Sequence, residues 1–134
     1  MGISAYTVRP PEARRDKPVV SAFVGGHLGK IDALEPDLVI GFSDVQADWA
    51  RDLIAAGHPV LILNQRSIQE ILEVGGDLGA LVDARPRALE LVSGYLARLD
   101  EVTNQVAARK TRPRVYFEEW DDPMISGIKW VSEL

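Results

Sequence analysis

The stretch FVGGHLGK, residues 23–30, has glycine and lysine spacing that invites comparison with a phosphate-binding loop. Such a loop needs glycine, four residues, then Gly-Lys-Ser/Thr, so that main-chain N–H groups wrap the phosphates and the hydroxyl holds magnesium. Here Val24 stands five positions before Gly29, and Ile31 follows Lys30. The spacing is one residue short and the hydroxyl is absent. The dinucleotide pattern Gly-x-Gly-x-x-Gly fails as well. What is left is a glycine turn that enters a short helix, with Lys30 in solvent. That turn still falls at the carboxyl end of a strand, where open α/β sheets take ligands.

A second cluster is EEWDD, residues 118–122, which sets four carboxylates around one tryptophan. Paired acids can do acid–base work or hold a hard cation. The plainer reading is a solvated loop after a strand, and a ligand-contacting rim lies between the two. Nucleophilic catalysis finds little to build on: no Gly-x-Ser-x-Gly elbow occurs, and Ser43 has no histidine near it in sequence. The two histidines, His27 and His58, are far apart, which argues against a histidine-based metal site. Cysteine is absent, so disulfides and thiolate chemistry are excluded. Trp49 and Trp130 fall at helical positions and read as packing residues. Tyr6, Phe23, Phe42 and Trp120 are different, because each falls at or just past a strand end. Singly each reads equally well as core; together they suggest an aromatic-lined cleft.

The elements that must position these residues follow from periodicity. Residues 1–18 hold three prolines and read as an extended lead-in with a short strand over residues 2–6. Val19 and Val20 make a second short strand. Leu28, Ile31 and Leu34 give one apolar helix face that Pro36 stops. DLVIGF (37–42) and PVLIL (59–63) read as buried strands. Between them Ser43 or Asp44 can cap a helix that buries Trp49, Leu53 and Ile54 and ends at Gly57. SIQE (67–70) has the form of a capping box. The helix it opens contains Gly75, Gly76 and Gly79, each costing on the order of 1 kcal/mol against alanine, which calls for close packing or a break there. After Pro86, Leu89, Val92, Leu96, Leu99, Val102 and Val106 form the longest helical stripe. RPRVYFEEW (112–120) carries a further strand, and DDPMISGIKWVSEL (121–134) opens another helix. Strand and helix alternate throughout, so the fold class is α/β with a parallel sheet.

At 134 residues the length suits one compact domain. Charged residues make up 26% and the net charge is −5, with no basic stripe and interleaved aromatics, so nucleic acid is not an expected partner. No apolar run reaches the roughly 18 residues of a membrane span, and the first 17 residues lack a basic-then-apolar signal pattern.

GISAYTVRPPEAR, GGHLGKIDALEPDLVIGF and RPRVYFEEWDDPMISGIKWVSEL together resemble the periplasmic solute-binding proteins of ABC importers for cobalamin, haem and iron siderophores, the cobalamin type above all. The resemblance runs over nearly the whole chain. IDALEPDLVIGF is its most specific piece and EEWDDP the next. It implies a partial first lobe over residues 1–85, a long connecting helix over 86–111 and the start of a second α/β lobe over 112–134. The opening strand and helix of the first lobe and most of the second lobe would lie outside these residues. It implies capture of a corrinoid or another metal chelate between the lobes, delivery to an ABC permease in the membrane, and a periplasmic or extracytoplasmic location. It implies no catalytic residue, no cofactor and no metal site. Carried over by position, Tyr6, Phe23, Gly25, Phe42 and Ser43 would belong to the first-lobe wall, and Trp120 and Asp121 to the opposing wall. Gly29 stands where the family usually has a glutamate that meets the permease. The alternative is a small α/β metal-dependent enzyme working through Glu118, Glu119, Asp121 and Asp122. Val115, Phe117, Ile125, Ile128, Trp130 and Val131 are apolar enough that a homodimer through residues 112–134 is expected, failing which that segment is poorly ordered.

Overall fold

In a computed structural model, residues 1–126 are described, and they divide by contact into two units, residues 1–64 and 65–134. In the first unit, β1 (Ile3–Ser4) pairs in parallel with β2 (Val19–Ser21), and β3 (Val39–Phe42) pairs in parallel with β4 (Val60–Leu63). The expected parallel pairing is present, laid out as two separate two-stranded ladders. The β3–β4 register runs without interruption from Val39 opposite Val60 to Phe42 opposite Leu63. β-Branched or aromatic residues at five of its eight positions favour this extended backbone.

Helices join the strands. α1 (Pro11–Asp16) occupies part of the segment expected to be an extended lead-in. Proline at the first helical position explains it, because its fixed φ suits a helix start and its missing N–H has no intrahelical role there. α2 (Leu28–Asp32) buries Ile31. A 3₁₀ turn (Asp44–Gln46) leads into α3 (Ala47–Ala55), whose buried face is Ala50 and Leu53. Leu53 is only 1% exposed and centres the small core. Trp49 is half-buried, but Ile54 is exposed and not part of that face as expected, since Trp49, Leu53 and Ala50 span the covered side and Ile54 falls just beyond its edge. Ser43 precedes the 3₁₀ turn without a side-chain cap bond, and the residue at the cap position of α3 is Gln46. Gly57 ends it at φ 92°, a conformation that glycine takes without steric cost.

The second unit is built on a helical hairpin. α4 (Ile68–Leu81) starts in the expected capping box: Ser67 accepts from the Glu70 N–H at 3.2 Å, and the Glu70 carboxylate accepts from the Ser67 N–H at 3.0 Å. α5 (Arg85–Ala107) packs against it. The α4 glycines face the amino-terminal half of α5 and meet Val92, Leu89 and Ala88, so close packing explains them. The α5 stripe nevertheless stays open: Leu89, Leu96, Leu99, Val102 and Val106 are exposed, and Val92 alone of the stripe is half-buried.

Two expectations for the last third are corrected. Residues 112–118 form no strand, and the apolar side chains of Val115 and Tyr116 stand in solvent. A strand needs a partner for its N–H and C=O groups, and none is offered here among the described residues. Of the helix expected over residues 121–134, the described residues 121–126 form none, and residues 127–134 lie outside the described residues. The segment from Trp120 makes a short antiparallel hairpin of β5 (Trp120–Asp121) and β6 (Met124–Ile125), with Asp122 and Pro123 in the turn. Ile128, Trp130 and Val131 lie outside the described residues.

Candidate functional site

β1, β2 and β3 deliver aromatic side chains at or just past their carboxyl ends. Tyr6 follows β1, and its N–H is held by the Ser4 hydroxyl at 3.2 Å. Phe23 follows β2 at the tip of a tight return. Ser21 pairs antiparallel with Gly26, and the Ala22 N–H donates to the Gly25 carbonyl at 2.6 Å, so Phe23 and Val24 are its two outermost residues. The return depends on Gly26, where an added Cβ would fall 2.8 Å from the Val20 carbonyl oxygen and 3.0 Å from the Trp49 ring. Gly25 has open space around its Cα, so its contribution is the main-chain carbonyl.

Tyr6 is 67% exposed and Phe23 53%, and their rings meet edge to face at a centroid distance of 5.9 Å and an interplanar angle of 75°. That geometry lets the positive edge of one ring face the negative face of the other. Phe42, the last residue of β3, is half-buried. Gln46 joins Phe42 to the Phe23 loop. Its Oε1 accepts from the Phe42 N–H at 2.8 Å, and its Nε2 donates to the Phe23 carbonyl at 2.6 Å. Ser43 comes next and is 3% exposed. It sits at φ 68° and ψ 160°, a region that side-chain-bearing residues rarely occupy. Its N–H donates to the Leu63 carbonyl at 2.6 Å and its hydroxyl to Asp44 Oδ1 at 2.7 Å. Of the expected site residues, Tyr6 touches Phe23, Gly25 closes the Phe23 loop, and Gln46 ties that loop to the main chain of Phe42, beside which Ser43 is buried. Gln46 belongs with them and was not anticipated; a lone glutamine four residues past a strand carries no signal in sequence.

Trp120 and Asp121 belong to the second unit, in β5. Trp120 is 60% exposed, and its indole N–H donates to the Asp122 carbonyl at 2.9 Å. Glu118 accepts from the Tyr116 hydroxyl at 2.8 Å. That hydrogen bond, with some desolvation, holds the Tyr116 hydroxyl above its ordinary pKa. Among the described residues no three His, Cys, Asp or Glu side chains are placed together to hold a metal ion. Among them, too, no helix is long and apolar enough to cross a membrane.

Parallel strand pairs with connecting helices define an α/β fold, here with aromatic residues at the strand ends. A family model described as periplasmic binding protein matches residues 1–134, and the chain belongs to that family. Among curated relatives it is similar to the vitamin B12-binding proteins of Salmonella choleraesuis (strain SC-B67) and Salmonella typhimurium (strain LT2), each 27% identical over 130 residues, 96% of this chain and 48% of theirs. The chain therefore spans about half the length of the curated relatives it matches. Among solved structures, an ABC transporter substrate-binding protein from Listeria monocytogenes EGD-e superposes with a TM-score of 0.68 at 25% identity, over 81% of this chain and 42% of its own. A possible iron-binding periplasmic solute-binding protein from Staphylococcus epidermidis shares the fold with a TM-score of 0.75 at 20% identity, over 92% of this chain and 49% of that one. A periplasmic haem-binding protein from Pseudomonas aeruginosa does so with a TM-score of 0.65 at 23% identity, over 75% and 37%. These relatives are binding proteins rather than enzymes, so the metal-dependent enzyme built on residues 118–122 is set aside.

Proposed function

We propose that this chain is part of the substrate-binding component of an ABC importer, and that outside the cytoplasm it helps capture a cobalamin-like corrinoid or another metal chelate for delivery to an ABC permease in the membrane. In this reading residues 1–85 belong to the first lobe, 86–111 to the connecting helix and 112–134 to the start of the second lobe. Tyr6, Phe23, Gly25, Phe42 and Ser43 form one wall, and Trp120 and Asp121 contribute to the other. The observation that carries the proposal is the pair of exposed rings just past the carboxyl ends of β1 and β2, Tyr6 and Phe23, in contact with each other, with the half-buried Phe42 at the end of β3 tied to the Phe23 loop through Gln46. A flat macrocycle needs such a face, and burial of an aromatic ring against it contributes roughly 1–3 kcal/mol. The similarity to vitamin B12-binding proteins supports the corrinoid, and the iron- and haem-binding neighbours share only the fold.

The test is an amide and aromatic NMR titration with dicyanocobinamide and with gallium protoporphyrin, both diamagnetic. A single wall binds weakly, so the readout is where shifts occur. They are expected at Tyr6, Phe23, Phe42 and Ser43, with Phe42→Ala weakening the response by about tenfold, the value of one stacked ring. Shifts scattered evenly over the chain, or none at millimolar probe, would overturn the assignment.

A further inference from the structure

We propose that Gln46 is a positioning residue that sets the spacing of the two phenylalanines, and with it the width of ligand the aromatic face accepts. This rests on the reading of that face as a ligand wall. Phe23 and Phe42 stand on different ladders, β2 with β1 and β3 with β4, and the two ladders share no strand pairing. The Gln46 carboxamide crosses that gap. Its oxygen takes the Phe42 N–H and its nitrogen donates to the Phe23 carbonyl, at 2.8 and 2.6 Å.

Both partners are main-chain groups, one a pure donor and the other a pure acceptor. The amide can therefore satisfy them in one orientation only. Glutamine is the side chain that fits, because glutamate lacks the donor and lysine lacks the acceptor. Gly41 makes the room: a Cβ there would fall 2.9 Å from Gln46 Oε1. Gln46 ends the 3₁₀ turn, and its own N–H is held by the Ser43 carbonyl at 3.2 Å, so the strap hangs from a fixed support. Held in this way, the Phe23 loop keeps its ring against Tyr6 with no ligand present. The wall is then formed before a ligand arrives, which lowers the ordering cost of binding.

Gln46→Glu separates the two halves of the strap. The carboxylate still accepts from the Phe42 N–H but opposes the Phe23 carbonyl with a lone pair. Protonated, below about pH 4.3, it can donate again. Without probe at neutral pH, the variant is expected to keep Phe42 amide protection, lose the Tyr6–Phe23 ring NOE and exchange the Ala22 and His27 amides, which donate to the Gly25 and Val20 carbonyls, about tenfold faster, as for one lost hydrogen bond. At pH 4 the NOE and protection return toward those of the wild type at the same pH. Dicyanocobinamide affinity follows the same course, about tenfold weaker at neutral pH and recovering in acid. Gln46→Ala removes both bonds, so its loop is released at either pH. A loop with wild-type NOE and exchange in the glutamate variant overturns the proposal. So does a released loop with unchanged probe affinity, since the width of the wall would then not depend on the strap. A wild-type chain that binds no probe counts against the wall itself; the NOE and exchange rates, read without probe, still decide whether the strap exists.

Discussion

Ser43 is held at φ 68° and ψ 160°, where a Cβ is unfavourable, yet it is almost fully buried at the end of β3. Such positions cost about 1–3 kcal/mol and persist where the surroundings impose them. Ser43→Gly and Ser43→Ala both lose the hydrogen bond to Asp44, but only glycine relieves the strain, so the unfolding midpoint of Ser43→Gly should lie above that of Ser43→Ala. Chemical denaturation of the pair decides; equal midpoints would mean that no strain is stored there. The capping box gives a second test at this scale. The Arg66 N–H, at 2.5 Å from the Glu70 carboxylate, holds Glu70 below its ordinary pKa; slight desolvation opposes this, and the Ser67 hydrogen bonds add to it. The folded pKa is thus the lower one. The stabilisation is fully present above about pH 4.5, the ordinary value, and fades as pH falls through the folded pKa. Glu70→Gln should flatten the acid limb of the stability curve while leaving α4 in place. Ser67→Ala should cost about 1 kcal/mol near neutral pH. An acid limb unchanged in Glu70→Gln would count against the assignment.

The capping box and the α4 glycines show how far elements could be read from sequence. SIQE specifies a helix start by local chemistry alone, and the structure has it. The glycines called for close packing, but which of them is essential depends on the neighbouring helix. An added Cβ at Gly79 runs into the Ala88 Cβ of α5, and at Gly76 it makes only ordinary contact, 3.9 Å from Leu89. Gly76→Ala should therefore stabilise the hairpin by up to about 1 kcal/mol through helix propensity. Gly79→Ala should destabilise it by about 1–3 kcal/mol through overpacking. Thermal melts of the two variants should move in opposite directions, and a shift of both the same way would contradict the packing.

The chain as a whole leaves much apolar surface in water. Val115 is 82% exposed, and Phe117, Trp120, Met124 and Ile125 are exposed beside it in sequence. Apolar surface of that extent is a driving force for association. The 14.7 kDa chain should self-associate reversibly in sedimentation velocity, with the species larger than a monomer growing as concentration rises. The double variant Val115→Asp, Phe117→Asp should return it to the monomer. A wild-type chain that stays monomeric across that range would remove residues 112–126 as an association surface.

What the sequence determined by itself is the set of features that act over a few residues. Branched runs define β3 and β4, Ser67 with Glu70 starts α4, Gly57 ends α3, and the 3.6-residue stripe from Leu89 to Val106 makes α5. The pattern of aromatics past strand ends also picked out Tyr6, Phe23 and Phe42 before any contact was known. Periodicity was a poorer guide at residues 112–118, where β-rich composition forms no strand without a partner for its backbone. It also overstated the burial of Ile54, because a pattern names a face but not its width. Tertiary structure alone decided that the Phe23 and Tyr6 rings touch, that Ser43 takes a strained backbone, and that Gln46 spans from Phe42 to Phe23. Phe23 and Gln46 are 23 residues apart, and a bond between them exists only once two ladders have been brought side by side. No local spacing encodes that approach.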